Sequence, residues 1–366
     1  MGSVLSIRVA PWVAVFVLGV CGAAVADDGV GAYGLAGELN RLTYDGRSAG
    51  MGGAALAVEG LPSAPVENAA TLGLGRRGDI EMGFFGESPA GPAGTGNYFL
   101  AGPPYKAIVP HHFAQLYGWA TGLAGRQGYG EVTVFGSVGA GQLVFFGTKG
   151  GIARPAMTAD TDAGEDTVTV RGPGIEYETL GSAYGTRLSG NTYLGLAVKQ
   201  IRIFRAAIDY TARRAPDGTV RVRPDSTVIQ EGLAWAEDLS VYYRGSGRWS
   251  GGLVLRHLNT PRFHSFRSAA TWLLAPSADI GTAWRSGRDI VAADLRNVWG
   301  ANGGGPMLRI GWEHSFGSHG RWLARAGLRD GRPSLGLGWH GSHGSVDFSV
   351  GPNPAQRASF SASVVF

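Results

Sequence analysis

Along the last third of the chain, hydrophobic and polar residues alternate one by one. In "MLRIGWEH", Leu308, Ile310 and Trp312 share one parity, while Arg309, Gly311 and Glu313 share the other. In "RWLARAGLRDG", Trp322, Ala324, Ala326 and Leu328 oppose Arg321, Arg325 and Arg329. "PSLGLGWH", "SVDFSV" and "ASFSASVVF" repeat the pattern, with Asp347 on a polar parity and Phe366 closing the last apolar one. "DIVAADLRNVW" sets Val291, Ala293 and Leu295 against Asp294 and Arg296. A period of two gives each segment one apolar and one polar face, so these segments are read as β-strands. The Gly, Ser, His, Asn and Pro residues between them are turn formers, and the strands follow one another as hairpins.

Earlier segments are noisier. "YGEVTVFGSVGAGQLVFFG" keeps Val132, Val134, Val138 and Ala140 on one parity. "NTYLGLAVKQIRIF" runs through Leu194, Leu196 and Val198, then changes phase at Lys199 to Ile201 and Ile203, as a bulge or a membrane exit would require. The polar stretches 154–174 and 210–232 are expected to be long loops.

Alternation alone does not choose between water and lipid, because a soluble sandwich shows it too. Three features choose lipid. The strands are long and sequential. Their polar parity carries Arg, Glu, Asp and many glycines, which suits a lumen. Trp312, Trp322 and Trp339 sit near the ends of the apolar stripes, where interfacial aromatic girdles lie. The predicted fold is all-β: a transmembrane antiparallel up-and-down β-barrel. The residues beyond the leader allow roughly 12–14 strands, an even number.

The first residues carry Arg8, then the apolar run "VAPWVAVFVLGVCGAAVA" ending in Ala24-Val25-Ala26. That pattern is a signal peptide over 1–26, with cleavage before Asp27. Cys21, the single cysteine of the chain, would leave with it, which removes thiol, disulfide and Cys-metal chemistry from the mature protein. Val20 stands where a lipoprotein signal needs a small residue. Residues 27–78 do not alternate and are rich in Gly and Ala, with Pro62 and Pro65. Small residues pack compactly, so this segment is expected to fold as a hatch inside a barrel formed by 79–366.

Composition narrows the reading further. The chain has 61 glycines, and charged residues make up 16% against a usual ~25%. A disordered chain would be poor in apolar residues, and this one has 44%. The formal charge of +4, one less without Arg8, is small and scattered, so nucleic acid is not an expected partner.

Two stretches carry a family pattern. "GRSAGMGGAALAVEGLPSAPVENAATLGLG" resembles the N-terminal signature of the FadL-like outer-membrane proteins. Arg47, Gly50, Met51, Gly52 and Gly53, followed by Ala54, Ala57 and Val58, stand where that signature has its Arg…Gly-Met-Gly-Gly-Ala…Ala-Val run. Asn68-Ala69-Ala70 stands where the family has Asn-Pro-Ala. "AEDLSVYYRGSGRWSGGLVLRHLNTPRF" is similar to the mid-barrel hairpin of the PorV/PorQ-like and TraF-like branch, through Asp238-Leu239, Tyr243, Gly252-Leu253, Leu258-Asn259 and Pro261.

The resemblance implies residence in the bacterial outer membrane and passive uptake of small hydrophobic compounds, fatty-acid-like or aromatic. It implies capture near the outer surface, a hatch rearrangement, and release sideways through the barrel wall. Arg47, Gly50, Met51, Gly52, Gly53 and Asn68 are expected to shape the hatch, with Asn68 satisfying backbone groups there. The branch also implies an alternative, a non-transporting partner of secretion or conjugation machinery. Expected partners are outer-membrane lipid, a lipophilic ligand, the barrel-assembly machinery and a secretion-system component.

Other chemistry reads more weakly. Gly46-Arg47-Ser48-Ala49-Gly50 fits the G-x-S-x-G nucleophile elbow, which needs a buried strand before the serine and a helix after it. A Gly-Met-Gly-Gly run follows instead, and no histidine has a diagnostic setting, so an enzyme is not expected. Gly73–Gly78 fits G-x-G-x-x-G without a surrounding βαβ unit. The adjacent His111 and His112 would point to opposite faces of a strand, and no metal or cofactor is expected. Asp294, Arg309, Glu313, Arg325 and Asp347 are expected to be lumen residues paired with one another. Arg321, Arg325 and Arg329, together with Arg309, could instead make an anionic-solute path. Phe366 is expected as the C-terminal barrel signal.

Overall fold

The computed structural model describes residues 44–87, 130–153, 156–162, 165–224, 227–245, 247–265, 271–317, 321–351 and 357–365, with Leu39 and Leu42. The signal segment 1–26, the first part of the expected hatch, His111, His112 and Phe366 lie outside the described residues.

All the strands belong to one sheet. Its first half holds β1 (Arg76–Glu87), β2 (Gly130–Gly141), β3 (Leu143–Ala153), β4 (Ala156–Asp162), β5 (Glu165–Ser189), β6 (Thr192–Arg214), β7 (Val220–Pro224), β8 (Thr227–Arg244) and β9 (Trp249–Arg256). The second half holds β10 (Arg262–Ser265), β11 (Thr271–Leu273), β12 (Ser277–Ser286), β13 (Asp289–Arg296), β14 (Met307–Phe316), β15 (Trp322–Arg329), β16 (Arg332–His340), β17 (Gly344–Val350) and β18 (Arg357–Val365). Every pairing is antiparallel, and β18 pairs back onto β1, from Asp79 opposite Val365 to Glu87 opposite Arg357. The result is a closed barrel of 14 strands. The four shorter pieces are extensions: β4 prolongs β3 along β5, β7 prolongs β8 along β6, and β10 and β11 prolong β9 and β12.

The wall is inside-out. Met82, Val138, Phe145, Leu180, Leu335 and Leu337 are exposed on its outer face, while Arg296, Arg309, Glu313 and Asp347 are buried within. In water this arrangement would be doubly unfavourable, since apolar area stays wet and charges are desolvated. Hydrocarbon against the outer face removes the first cost, and closure leaves no strand edge unpaired in lipid. Tyr243, Trp249, Trp312, Trp322 and Trp339 stand exposed near one end of the wall, with Trp322 paired to Trp339 across β15–β16. That end has the short turns, such as Gln142 and Gly190–Asn191, which marks it as the periplasmic end of such a barrel. Among the described residues no helix is long and apolar enough to cross a membrane.

The opposite rim is uneven. β5 has 25 residues and β15 has 8. At ~3.3 Å per residue these are roughly 80 Å and 26 Å of strand. The segments 154–174 and 210–232, expected as loops, are largely strand: their Thr, Val, Arg and Tyr residues extend the β5–β6 hairpin beyond the apolar band and pair with β4 and β7. Polarity signalled exit from the membrane, not loss of strand structure. The phase change at Lys199 is not a bulge, since the β5–β6 register runs unbroken from Asp166–Arg214 to Arg187–Tyr193. Lys199, Ile201 and Ile203 all point inward, and the outward Arg202 shows where the hairpin leaves lipid.

Candidate functional site

Residues 45–74 pack against inward-facing residues of the wall, among them Gly195, Gly311 and Gly327. Asp45 caps the short helix α1 (Gly46–Gly50), its Oδ1 accepting from the Ser48 N–H at 2.8 Å. The Ser48 hydroxyl bonds back to Asp45, and Ser63 Oγ also donates to that carboxylate. Ser48 is fully buried in this hydrogen-bonded turn. Burial pushes the Asp45 carboxyl up, against the bonds from Ser63 and Ser48 that favour its charged form.

Inward glycines let the two backbones touch. A Cβ on Gly327 would lie 2.1 Å from the Gly52 nitrogen, and one on Gly195 would lie 2.1 Å from the Ala70 nitrogen. Gly52 itself has φ +65°, with its would-be Cβ 2.5 Å from the Leu328 nitrogen, so no side chain fits there. Met51 packs at 0% exposure against Gly311. Asn68, after helix α2 (Ala64–Glu67), accepts from the Ala70 N–H at 3.1 Å and donates from Nδ2 to the Leu56 carbonyl at 2.7 Å. Its φ of −154° and ψ of 93° are extended, the region a following proline also favours, so Ala69 keeps the turn without the ring.

Charged side chains fasten this segment to the wall in two groups. In the first, Arg47 Nη2 meets Glu313 Oε1 at 2.8 Å, and its Nη1 donates to the carbonyls of Glu59 and Gly60. Burial alone would lower the Arg47 guanidinium, but Glu313 outweighs it and raises it. Arg325 joins the same Glu313 at 2.6 Å and reaches Asp347 at 2.7 Å. In the second, Arg296 Nη1 meets Glu67 of the same segment at 2.7 Å, and its Nη2 meets Asp294 at 3.0 Å and the Gly53 carbonyl at 3.1 Å. Asp294 also accepts the N–H groups of Ala55 and Leu56, at 2.7 and 3.1 Å. The group continues through Asp279 and Arg256, 2.7 Å apart, to Asp238 and Lys199. Arg309 Nη1 donates to the Gly53 carbonyl at 3.3 Å.

The sequence-derived residues therefore come together, but the pairing is richer than expected. Arg321 stands exposed outside the lumen. The sequence does not mark Glu67, Arg256 or Asp279 as part of this group, and it marks Asp238 and Lys199 only through a family motif and a phase change. Glu67 had no signal, lying in a segment without periodicity. Arg256 had one, since it falls on the parity opposite Leu253 and Leu255. Among the described residues no cluster of His, Cys, Asp or Glu could hold a metal ion.

Above the second group the lumen turns apolar. Tyr177, Ile201, Ile203, Ala236, Phe263 and Leu274 pack with Leu42 of the N-terminal segment into a buried apolar cluster, beside Lys199 and His257. A free space of about 30 Å³ remains. The wall beside the cluster is interrupted. β9 breaks from β10 at 257–261, and β11 from β12 at 274–276. Asn259 takes the place of a strand residue, accepting from the Glu237 N–H and donating to the Trp235 carbonyl. Asn302 does the same to both backbone groups of Ala275. His257, Thr260, Asn297 and Asn302 have φ between 48° and 59°. Strained backbone of this kind collects at functional sites.

No family model matches the chain, and no curated protein matches it by sequence. Solved structures match its shape. The toluene transporter TbuX of Ralstonia pickettii aligns with a TM-score of 0.50 and 12% identity, over 88% of this chain and 98% of that one. A FadL homologue of Pseudomonas aeruginosa gives 0.50 and 12%, over 89% and 99%. The toluene transporter TodX of P. putida gives 0.51 and 10%, over 88% and 98%. The fold is that of the FadL-like barrels. At these identities the likeness is one of fold, and it agrees with the expectation drawn from the Arg47–Asn68 signature. Closed, even-stranded, antiparallel barrels with an apolar exterior are the spanning structures of bacterial outer membranes, and this FadL-like barrel resides there.

Proposed function

We propose that the protein is a passive outer-membrane channel for small hydrophobic compounds, with residues 45–74 as its hatch. The observation that carries this reading is the apolar cluster of Ile201, Ile203, Phe263 and Leu274 inside the lumen, set behind a wall interrupted at 257–261 and 274–276. With Leu42 packed among these residues this is the closed state, and withdrawal of Leu39 and Leu42 opens a chamber for solute. The outer face of the interrupted panel is apolar, with Trp235, Leu258 and Leu273 exposed. A greasy solute leaving there passes into lipid and loses nothing by avoiding water. The charge groups below the chamber bar the straight path and make sideways release the lower barrier.

The aromatic hydrocarbons named for TbuX and TodX are the first probes to try. Outer-membrane vesicles carrying the barrel should take up labelled toluene faster than vesicles without it, and Ile203→Asp, which charges the chamber, should abolish the difference. Equal uptake with and without the protein would end the channel reading.

A second reading rests on a specific observation. The lumen at hatch level is filled, and the β4–β7 arm projects well past the apolar band, as a docking surface for a secretion or conjugation partner would. Deleting 158–168 and 209–226 separates the two: uptake survives if the barrel is a channel, and partner binding is lost if it is a scaffold.

A further inference from the structure

The periplasmic mouth carries a site of its own. Arg244 ends β8 and Arg285 lies at the foot of β12, and both turn to one hatch carboxylate. Arg244 Nε lies 3.3 Å from Glu59 Oε1, and Arg285 Nη1 lies 3.6 Å from Glu59 Oε2. Tyr242 Oη donates to Glu59 Oε1 at 2.7 Å, so the carboxylate's closest partner is a neutral hydroxyl. A tight charge-assisted bond is roughly 2.7–2.9 Å long, and a guanidinium has about five N–H donors, so neither arginine is saturated. Their side chains are 52% and 46% exposed, against 20% for Glu59. Beside them opens a cavity of about 390 Å³, walled by Leu61, Ala64, Thr71 and Leu74 of the hatch.

Charge and shape fix the ligand class. Two guanidinium groups face one carboxylate, which leaves the set one negative charge short of neutrality. The wall opposite the arginines holds the buried Leu61, Ala64 and Thr71 and the half-buried Leu74, whose side chain supplies its apolar surface. We propose that this cavity binds a small amphiphilic monocarboxylate, with the carboxylate shared by Arg244 and Arg285 and the hydrocarbon part against Leu74. The site lies at the opposite end from the apolar chamber and stands whether or not the barrel is a channel.

The test is calorimetric titration of the detergent-purified barrel with hexanoate, with hexanol and inorganic phosphate titrated in parallel. Hexanoate should bind once per barrel, and hexanol and phosphate each about tenfold more weakly or worse, since one lacks the charge and the other the hydrocarbon. Arg244→Gln and Arg285→Gln should each weaken hexanoate by about tenfold, the loss of one charge-assisted hydrogen bond. Glu59→Gln keeps the acceptor for Tyr242 and removes the competing charge, so it should tighten hexanoate severalfold. The idea is overturned if phosphate matches hexanoate (an adventitious anion only), if hexanol matches it (partition into the micelle), or if either arginine variant binds like the parent. Should an arginine variant fail to fold, Glu59→Gln decides, because tighter binding cannot come from damage and unchanged or weaker binding refutes the site.

Discussion

Replacing Arg296 with methionine would cut one of the buried ionic ties between residues 45–74 and the wall. Its side chain is 1% exposed and meets Glu67 at 2.7 Å and Asp294 at 3.0 Å. At an effective dielectric of about 20, unit charges at that shorter distance attract by about 6 kcal/mol, before desolvation of both groups takes back much of it. The larger effect is what the substitution strands. Glu67 and Asp279 would share Arg256, which is 2.7 Å from Asp279 but 3.8 Å from Glu67, and Asp294 would keep the N–H groups of Ala55 and Leu56 without its cation. Removing one partner of a buried pair costs about 3–5 kcal/mol. Urea unfolding in detergent micelles, followed by the mobility of the folded barrel on unheated gels, should show a loss of that size for Arg296→Met. Ion leak across a planar bilayer should rise with it, because the cut frees the hatch while the strand ladder stays paired. Adding Glu67→Gln should restore about 1–2 kcal/mol by removing a stranded charge. A variant within about 1 kcal/mol of the parent, with no added leak, would show that the ion pairs do not hold the hatch.

Three further outcomes follow from the same geometry. Gly52→Ala puts a methyl group against Leu328 at positive φ, and should cost about 1–3 kcal/mol in the urea assay, with leak rising in parallel. Asn302→Ala strands both backbone groups of Ala275 and should lower stability by about 1–3 kcal/mol while speeding toluene uptake; slower uptake would remove the panel from the exit path. Ser48→Ala should cost about 1 kcal/mol from the lost bonds to Asp45 and leave p-nitrophenyl butyrate hydrolysis at background. Esterase activity in the parent that this variant abolishes would restore the nucleophile-elbow reading.

Much of the barrel was legible because its solvent is inverted. Leu308, Ile310 and Trp312 face hydrocarbon while Arg309 and Glu313 face the lumen, so strict alternation marks the strands that lie wholly in the membrane. Legibility fell where that contrast faded. Beyond Lys199 the inner face becomes apolar around the chamber and the outer face becomes polar, so the rule reverses within one strand. The extensions β4 and β7 stand in water on both sides and looked like loops. In the hatch the glycine run was readable and the ionic fastening was not. Arg47 sits 266 positions from Glu313, and Glu67 sits 229 from Arg296. No local pattern joins residues so far apart; only closure of the cylinder does.

The unequal strands give the molecule a slanted crown. On the β15–β16 side the chain turns back at Asp330–Gly331 almost as soon as it clears the lipid, while the β5–β6 side climbs far higher. Among the described strands, whatever approaches from outside meets a parapet on the β5–β6 flank and a low sill at β15–β16. Antibodies and phage would sense that handedness first.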